Sequence, residues 1–250
     1  MKPEFDEAEF GSAVVREIVW ERKLGPARIP EVLLSAPEEE YWGVDVLIAL
    51  GRRRVVPLFL QFKRSDCLTR RPATYWDFFG CQQYFRFDVY PANIRPQHND
   101  LRELNSHFSR VYYAAPAFYC HSDYVRLSRS VEVIDNTALI SPGSLEPNTE
   151  DEEHSVCFTL TPWKVRWCSE EGDGDGFAGG KALREDIGRK RDYRPPQEVL
   201  EDLERFLDLP RKDQSNKRAA RHVIDRFREA AHEVSTKYGA RLIVVPEEDG

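Results

Sequence analysis

The amino-acid sequence predicts an α/β protein. Three observations support this class: apolar residues recur at helical spacing over residues 4–24, two apolar strand-like runs occupy residues 43–63, and amphipathic helical segments follow at 196–208 and 215–237. At 250 residues, the chain can form one large domain or two small ones, and it can bury a sizeable core.

Composition and charge narrow the class of protein. The sequence is 41% hydrophobic and 32% charged, and no apolar run approaches the roughly 20 residues needed to cross a bilayer. The acidic start, MKPEFDEAEF, lacks the apolar run of a signal peptide, so a cytoplasmic protein without a membrane partner is expected. The five cysteines form no C-x-x-C pair and are expected to be reduced. A net charge of -7 argues against a constitutive nucleic-acid coat, but it leaves room for a local basic groove.

The first half of the chain is expected to alternate between helices and strands. Val14 and Ile18 share one face of the first helix, and Gly25 and Pro26 end it. The elements predicted after it are a short strand at 31–35, a hairpin at 43–63 with its turn at 51–54, an aromatic-rich helix at 75–87, a short helix ending near 108 and a strand at 111–119. The aromatic residues of the segment at 75–87 are too many for one exposed face, so most of them are expected in the core.

The composition shifts near residue 146, where the chain becomes acidic and then rich in glycine. Residues 1–145 are therefore interpreted as a core, and residues 146–250 as a C-terminal extension packed on it. The remaining predicted elements are a helix at 122–130, strands at 137–140 and 155–160, a flexible Gly/Asp-rich loop at 170–181, helices at 196–208 and 215–237, and a strand at 241–245.

Polar residues within the hairpin GVDVLIALGRRRVVPLFLQFK are the most informative feature of the sequence. Asp45 interrupts the first strand, and Gln61 and Lys63 interrupt the end of the second. Because side chains alternate along a strand, Gln61 and Lys63 share one face. With the turn centred near Arg53, Asp45 and Gln61 become cross-strand neighbours, with Cβ atoms about 5 Å apart. The alternative is a strand-end ion pair of Asp45 with Lys63, in which Gln61 bonds a nearby backbone group.

Other motifs fail on spacing. The segment GFAGGK at 176–181 lacks the first glycine of a phosphate loop, and Ala182 replaces the metal-binding hydroxyl. The DGDG run at 173–176 lacks the ligand spacing of an EF-hand. His154 and Cys157 have no second pair of zinc ligands, and the G-x-S-x-G of a hydrolase does not occur.

A helix with glutamates, then Gly-x-Asp on one strand and Gln-x-Lys on the next, resembles the PD-(D/E)xK nuclease superfamily. Within it, the pattern is most similar to Mrr-type restriction endonucleases and archaeal Holliday-junction resolvases. The resemblance covers residues 4–119, which can be read in the family order of helix, three strands, helix and strand. It implies a restriction-endonuclease-like core with a mixed central sheet flanked by helices, here with extra C-terminal helices. It also implies metal-dependent hydrolysis of phosphodiester bonds in DNA, in a setting such as restriction or anti-phage defence.

The resemblance carries catalytic roles to individual residues. Asp45 matches the metal-binding Asp, Gln61 matches the second acidic ligand in its known Gln variant, and Lys63 matches the catalytic lysine. Val44 stands where the family has its Pro, which is a departure. Lys63 is expected to orient or deprotonate the attacking water.

The expected cofactor is Mg²⁺ or Mn²⁺, which prefers oxygen ligands. Besides Asp45 and Gln61, the resemblance implies a ligand from the first helix, and the backbone carbonyl of Phe62 is a further candidate. Glu17 is the first choice for the helix ligand, and Glu9 and Glu21 are the alternatives.

The implied partner is nucleic acid, chiefly DNA. Basic residues near the hairpin would bind its phosphates, namely Arg52, Arg53, Arg54, Arg64, Arg70 and Arg71. The alternative for this group is a solvated basic surface. Relatives of this fold are often dimers, so a homodimer or a partner in a defence complex is expected. The alternative function is a catalytically inactive nuclease-fold module that binds nucleic acid or a protein partner.

Overall fold

The computed structural model describes most of the chain. It covers residues 1–19, 54–71, 73–80, 82–94, 96–147, 154–168, 172–173, 176–187, 192–209 and 219–246. The strand expected at 31–35, the first strand of the hairpin and residues 51–53 of its turn lie outside the described residues.

The described residues form six α-helices and ten β-strands. The helices are α1 (Glu7–Val19), α2 (Gln97–His107), α3 (His121–Ser130), α4 (Gly179–Ile187), α5 (Pro196–Leu207) and α6 (Ala219–Tyr238). The strands are β1 (Val55–Phe62), β2 (Asp66–Leu68), β3 (Tyr84–Val89), β4 (Val111–Pro116), β5 (Thr137–Ile140), β6 (His154–Leu160), β7 (Trp163–Trp167), β8 (Gly172–Asp173), β9 (Gly176–Ala178) and β10 (Arg241–Pro246). Short 3-10 turns precede and follow β5. The predicted α/β class, with a mixed sheet and helices, is confirmed.

The chain forms two compact units. The first contains the described parts of Met1–Leu24 and Gln61–Asp186, and the second contains those of Gly25–Leu60 and Ile187–Gly250. Strand β1 contributes to both, because its last two residues belong to the first unit. All eight residues of β1 are buried, as expected for a strand covered on both faces.

The first unit contains an antiparallel sheet in the order β2-β3-β6-β7-β8. In β3, residues Phe85 and Phe87 point to one face, where both rings lie near Phe158 of β6. The helix predicted over 75–87 is wrong: residues 73–80 form turns, and β3 begins at Tyr84. The run YFRFDV alternates with period two, and pairing with β6 decides its conformation.

The first unit also contains part of a mixed sheet, in which the end of β1, β4, β5 and β9 follow one another. Helix α1 begins with a capping box, because the backbone N–H of Asp6 donates to Glu9 and that of Glu9 donates to Asp6. It packs against Phe62, where Gly11 is required: a Cβ at Gly11 would lie 2.8 Å from Cδ2 of that ring. Phe10 adds an edge-to-face contact with the same ring at 5.8 Å.

The Gly/Asp-rich stretch was predicted to be a flexible loop, and this was wrong for its described residues. They form β8, β9 and the start of α4. Gly176 pairs so closely with β5 that a side chain there would collide with the carbonyl oxygen of Leu139. At the start of α4, the backbone N–H of Gly180 donates to the Asp135 carboxylate at 3.0 Å. The negative Asp135 carboxylate thus occupies the helix N-terminus where a phosphate would bind, which agrees with rejecting a phosphate loop at 176–181.

The second unit joins two helices to a strand pair. Strand β10 runs antiparallel to β1, with Val56 opposite Val245 and Leu58 opposite Ile243. Helices α5 and α6 are linked by a bidentate ion pair between buried Glu204 and Arg226. The helices predicted at 196–208 and 215–237 and the strand at 241–245 are confirmed within the described residues.

Two further observations concern the cysteines and membrane association. Cys157 and Cys168 are joined as a disulfide in the antiparallel sheet, whereas the sequence analysis expected reduced thiols. Cys67 and Cys120 are free. Among the described helices, none combines the length and the apolar character of a membrane-spanning segment.

Candidate functional site

The end of β1 presents two of the predicted site residues on one face. Because strand side chains alternate, Gln61 and Lys63 point away from the face that carries Phe62. Phe62 is the last residue of β1 and packs against α1. The backbone stays paired with β4 one residue beyond the strand, since the N–H of Lys63 donates to the carbonyl of Ala114 at 3.0 Å.

Gln61 is a buried amide in an otherwise apolar strand. Its side chain is 3% exposed, and its Oε1 accepts no hydrogen bond from the described residues. An unsatisfied buried acceptor costs about 1–3 kcal/mol, so such atoms usually have a partner such as water or an ion. A neutral amide oxygen is a ligand that Mg²⁺ accepts, and Gln61 therefore fits the predicted ligand role chemically.

Lys63 is half-buried and lies beside an aromatic ring. Its Nζ is 5.6 Å from the ring centroid of Tyr113 in β4, which is within the range of a cation–π interaction. The neighbouring residue Tyr112 points the opposite way and donates its hydroxyl to Asp186 of α4. The two tyrosines therefore serve different faces of β4, and Tyr113 belongs to the face of Lys63.

A buried hydrogen-bonded chain supports Tyr113. Its hydroxyl lies 2.8 Å from Nδ1 of His98 in α2, and Nε2 of His98 lies 2.8 Å from the carbonyl oxygen of Glu146. A carbonyl can only accept, so Nε2 carries the proton, and Nδ1 accepts from the Tyr113 hydroxyl. Burial lowers the pKa of His98 to about 4, opposed by the Glu146 carbonyl, so the imidazole is neutral near pH 7.

Aromatic stacking encloses this chain. The indole of Trp167 stacks on His98 at 5.3 Å and on His154 at 4.8 Å, between ring centroids. Tyr113 is also in contact with Phe87 of β3, at 5.4 Å. Burial of Tyr113 raises the pKa of its hydroxyl, which keeps it protonated.

Neither His98 nor Tyr113 was predicted from the sequence as a residue of the site. The run VYYAAPAFY at 111–119 was predicted to be a buried strand, which is correct for Val111–Pro116. The pattern of apolar residues cannot show which tyrosine of this strand meets a polar partner. The only available signal was the pair of hydroxyls within a buried strand, since a buried tyrosine hydroxyl usually has a hydrogen-bond partner.

Glu17 lies in a different environment from Gln61. It is fully buried on α1, and its two carboxylate oxygens accept the backbone N–H groups of Val133 and Ile134, each at 2.9 Å. Helix α1 packs on the Phe62 side of β1, opposite the face of Gln61 and Lys63. The described contacts of Glu17 thus give it a structural role, and its role as a metal ligand stays a prediction. The alternative Glu9 is exposed and belongs to the capping box of α1.

Other predicted site residues have no described surroundings. Asp45, Glu21, Arg52 and Arg53 lie outside the described residues. Of the remaining predicted phosphate-binding residues, Arg54, Arg64, Arg70 and Arg71 are exposed.

No group of three or more His, Cys, Asp or Glu side chains within the described residues has the arrangement of a metal site. The predicted ligand set includes an amide, a backbone carbonyl and Asp45, so this observation does not bear on it. The chain matches no protein-family model, no curated protein and no solved structure in the comparisons made with known proteins.

Proposed function

We propose that the protein is a metal-dependent nuclease that hydrolyses phosphodiester bonds in DNA, at a site built on the end of β1. The observation that carries the proposal is the buried Oε1 of Gln61, which has no donor among the described residues. Strand alternation predicts that Lys63, two residues later, shares its face. The resemblance of the Gly-x-Asp and Gln-x-Lys pattern to PD-(D/E)xK nucleases supplies the reaction class.

Each residue has a role that suits its chemistry. Asp45 and Gln61 would hold Mg²⁺ or Mn²⁺, which when bound would stabilise the charge of the pentacoordinate phosphate. Lys63 would orient the attacking water and balance the negative charge of the scissile phosphate. A Gln ligand contributes less charge than Glu, so the metal affinity is expected to be low.

The nucleic-acid surface would lie beside this site. Arg64, Arg70 and Arg71 follow β1 closely in the chain and are exposed in the first unit. Arginine side chains bind phosphate groups through planar, charged hydrogen bonds. The predicted cellular setting, a homodimer or defence complex, rests on the resemblance alone.

One observation favours the alternative of a non-catalytic binding module. Both oxygens of Glu17 accept backbone N–H groups, and without Glu17 the metal would have Asp45 as its charged protein ligand beside the neutral Gln61. A site that binds metal too weakly would not cleave DNA, and the protein would then bind DNA through its arginines without cutting it.

Cleavage assays on supercoiled plasmid and on branched DNA separate these two functions. With Mg²⁺ or Mn²⁺, the protein is expected to nick or cut DNA, and chelation with EDTA should stop the reaction. Asp45→Ala is expected to abolish cleavage, and Lys63→Met to slow it about 100-fold or more, because it removes the group that positions water.

The matched control for Lys63 is Lys164→Met. Lys164 is also half-buried and lies 5.3 Å from an aromatic ring centroid, that of Phe78, but it is on β7. Its loss should leave cleavage unchanged. If neither metal supports cleavage of any DNA by the wild-type protein while DNA binding persists, the binding module is correct and the nuclease proposal is wrong.

A further inference from the structure

Tyr113 contacts two polar side chains, one through its hydroxyl and one through its ring. The hydroxyl bonds His98, and the ring lies beneath the ammonium group of Lys63. Tyr113 is 1% exposed and His98 is 2% exposed, so neither side chain meets solvent. A group so thoroughly buried is oriented by its few polar contacts as well as by packing.

The tautomer of His98 makes the hydrogen-bond chain directional. The carbonyl of Glu146 requires a proton on Nε2, which leaves Nδ1 as an acceptor for the Tyr113 hydroxyl. This series of hydrogen bonds therefore starts at the Glu146 carbonyl after β5, passes through His98 of α2 and reaches the Tyr113 hydroxyl of β4. The ring of Tyr113 lies beneath Lys63. Each link has one donor and one acceptor, and no other tautomer satisfies both contacts.

Lys63 has a long side chain whose orientation depends on the groups packed around it, and the Tyr113 ring is one of them. A lysine has three rotatable donors on a four-carbon stem and retains considerable rotamer freedom unless it is packed. The negatively polarised face of the Tyr113 ring attracts the ammonium group and restricts it. A ring that tilts away from Lys63 would lose this interaction.

We propose that His98 and Tyr113 are positioning residues: His98 fixes the Tyr113 ring, and the ring fixes the ammonium group of Lys63 in the candidate site. The role in catalysis rests on the proposed nuclease function, whereas the positioning of Lys63 does not. The two parts can therefore be tested separately.

Nuclear magnetic resonance of protein labelled with ¹³C-lysine tests the positioning. Protons that lie over an aromatic ring are shifted upfield, so the ε-CH₂ signal of Lys63 should lie upfield of the other lysine signals. Lys63→Arg identifies the signal by its disappearance. Tyr113→Leu should abolish the upfield shift, and Tyr113→Phe and His98→Leu should each reduce it by at least half, because they keep a ring but remove the hydrogen bond.

Two variants serve as controls. His98→Gln retains one acceptor and one donor in the same region and should preserve the shift. Tyr112→Phe removes the hydrogen bond to Asp186 on the other face of β4 and should leave the Lys63 signal unchanged. Should Tyr113→Leu fail to fold, the comparison of His98→Gln with His98→Leu still decides the result.

The proposal is overturned if the Lys63 signal of the wild-type protein shows no upfield shift, or if His98→Leu and Tyr113→Phe leave the shift intact. For the catalytic part, His98→Leu should lower kcat for DNA cleavage at least tenfold with KM within twofold, and His98→Gln should restore it. An unchanged kcat in His98→Leu would refute that part. Absence of cleavage by the wild-type protein would instead refute the proposed function, and the spectra would still decide the positioning.

Discussion

Gln61 and Glu17 are both buried polar side chains, yet their surroundings differ. Glu17 uses both carboxylate oxygens to accept backbone N–H groups, and so it fixes the turn that precedes β5. The Oε1 of Gln61 has no donor among the described residues. A bound cation or water molecule would satisfy Gln61, whereas Glu17 already has partners. The proposed site therefore depends on Gln61 more than on Glu17.

Substitution of Glu17 tests its structural role. Glu17→Ala would leave the N–H groups of Val133 and Ile134 buried without these acceptors, so we expect a loss of about 3 kcal/mol or more in the free energy of unfolding. Urea unfolding with EDTA present measures this loss without any metal contribution. Glu9→Ala is the matched control on the same helix and should cost about 1 kcal/mol, as an exposed cap. Equal stability of the Glu17 variant and the wild type would contradict the structural role.

Secondary-structure elements of the first unit are joined by a few buried polar contacts. His98 and Tyr113 link α2 to β4, and Arg110 and Tyr112 of the β4 region link to Asp186 near the end of α4. Buried polar contacts of this kind specify which elements meet, because an incorrect packing would leave each partner unsatisfied. They also make the packing sensitive to protonation.

The link between α2 and β4 should weaken in acid. The pKa of His98 is lowered by burial to about 4 in the folded protein, against an ordinary value near 6.5. The unfolded chain therefore takes up more protons between these values, and stability is full above about pH 6.5 and is lost as the pH falls toward 4. Between pH 7.5 and pH 5 this contribution amounts to roughly 2 kcal/mol.

Urea unfolding of the wild type and His98→Gln at the two pH values measures that loss. Other titrating groups are the same in both proteins, so the wild type should lose more stability than the variant by roughly the amount given by His98 alone. If both proteins lose the same free energy, His98 does not titrate as its burial implies.

At the scale of the whole molecule, the disulfide limits the conformations of the unfolded chain. Cys157 lies in β6 and Cys168 directly follows β7, with Cα atoms 6.4 Å apart. Peptide mapping without reductant should recover these two cysteines as one linked peptide pair and Cys67 and Cys120 as free thiols. Cys168→Ser is expected to lower the unfolding free energy by about 2–3 kcal/mol, because the closed loop is short.

Cys120→Ser is the control for this experiment, since Cys120 is free and only half-buried, and its replacement should change stability by about 0.5 kcal/mol or less. Alkylation of both Cys157 and Cys168 in the unreduced protein would show that the disulfide is absent in solution.

The sequence could predict elements whose pattern is local. Helices α5 and α6 follow from amphipathic spacing, and β4, β5 and β10 follow from short apolar runs bounded by turn residues. It failed where a distant partner decides the conformation. The aromatic segment that contains β3 is a strand because it pairs with β6, some 70 residues later in the chain. Strand β1 pairs with β10 near the end of the chain, and no local pattern indicates that partner.

The candidate site shows the same division. Alternation along β1 predicts that Gln61 and Lys63 share one face, because strand geometry has a fixed period of two. Only the tertiary structure decided that Lys63 meets Tyr113, that His98 holds that ring, and that Glu17 bonds the turn before β5. These contacts join residues 15 to 117 positions apart in the chain. The sequence carries little information about them, because the packing of separate elements creates them.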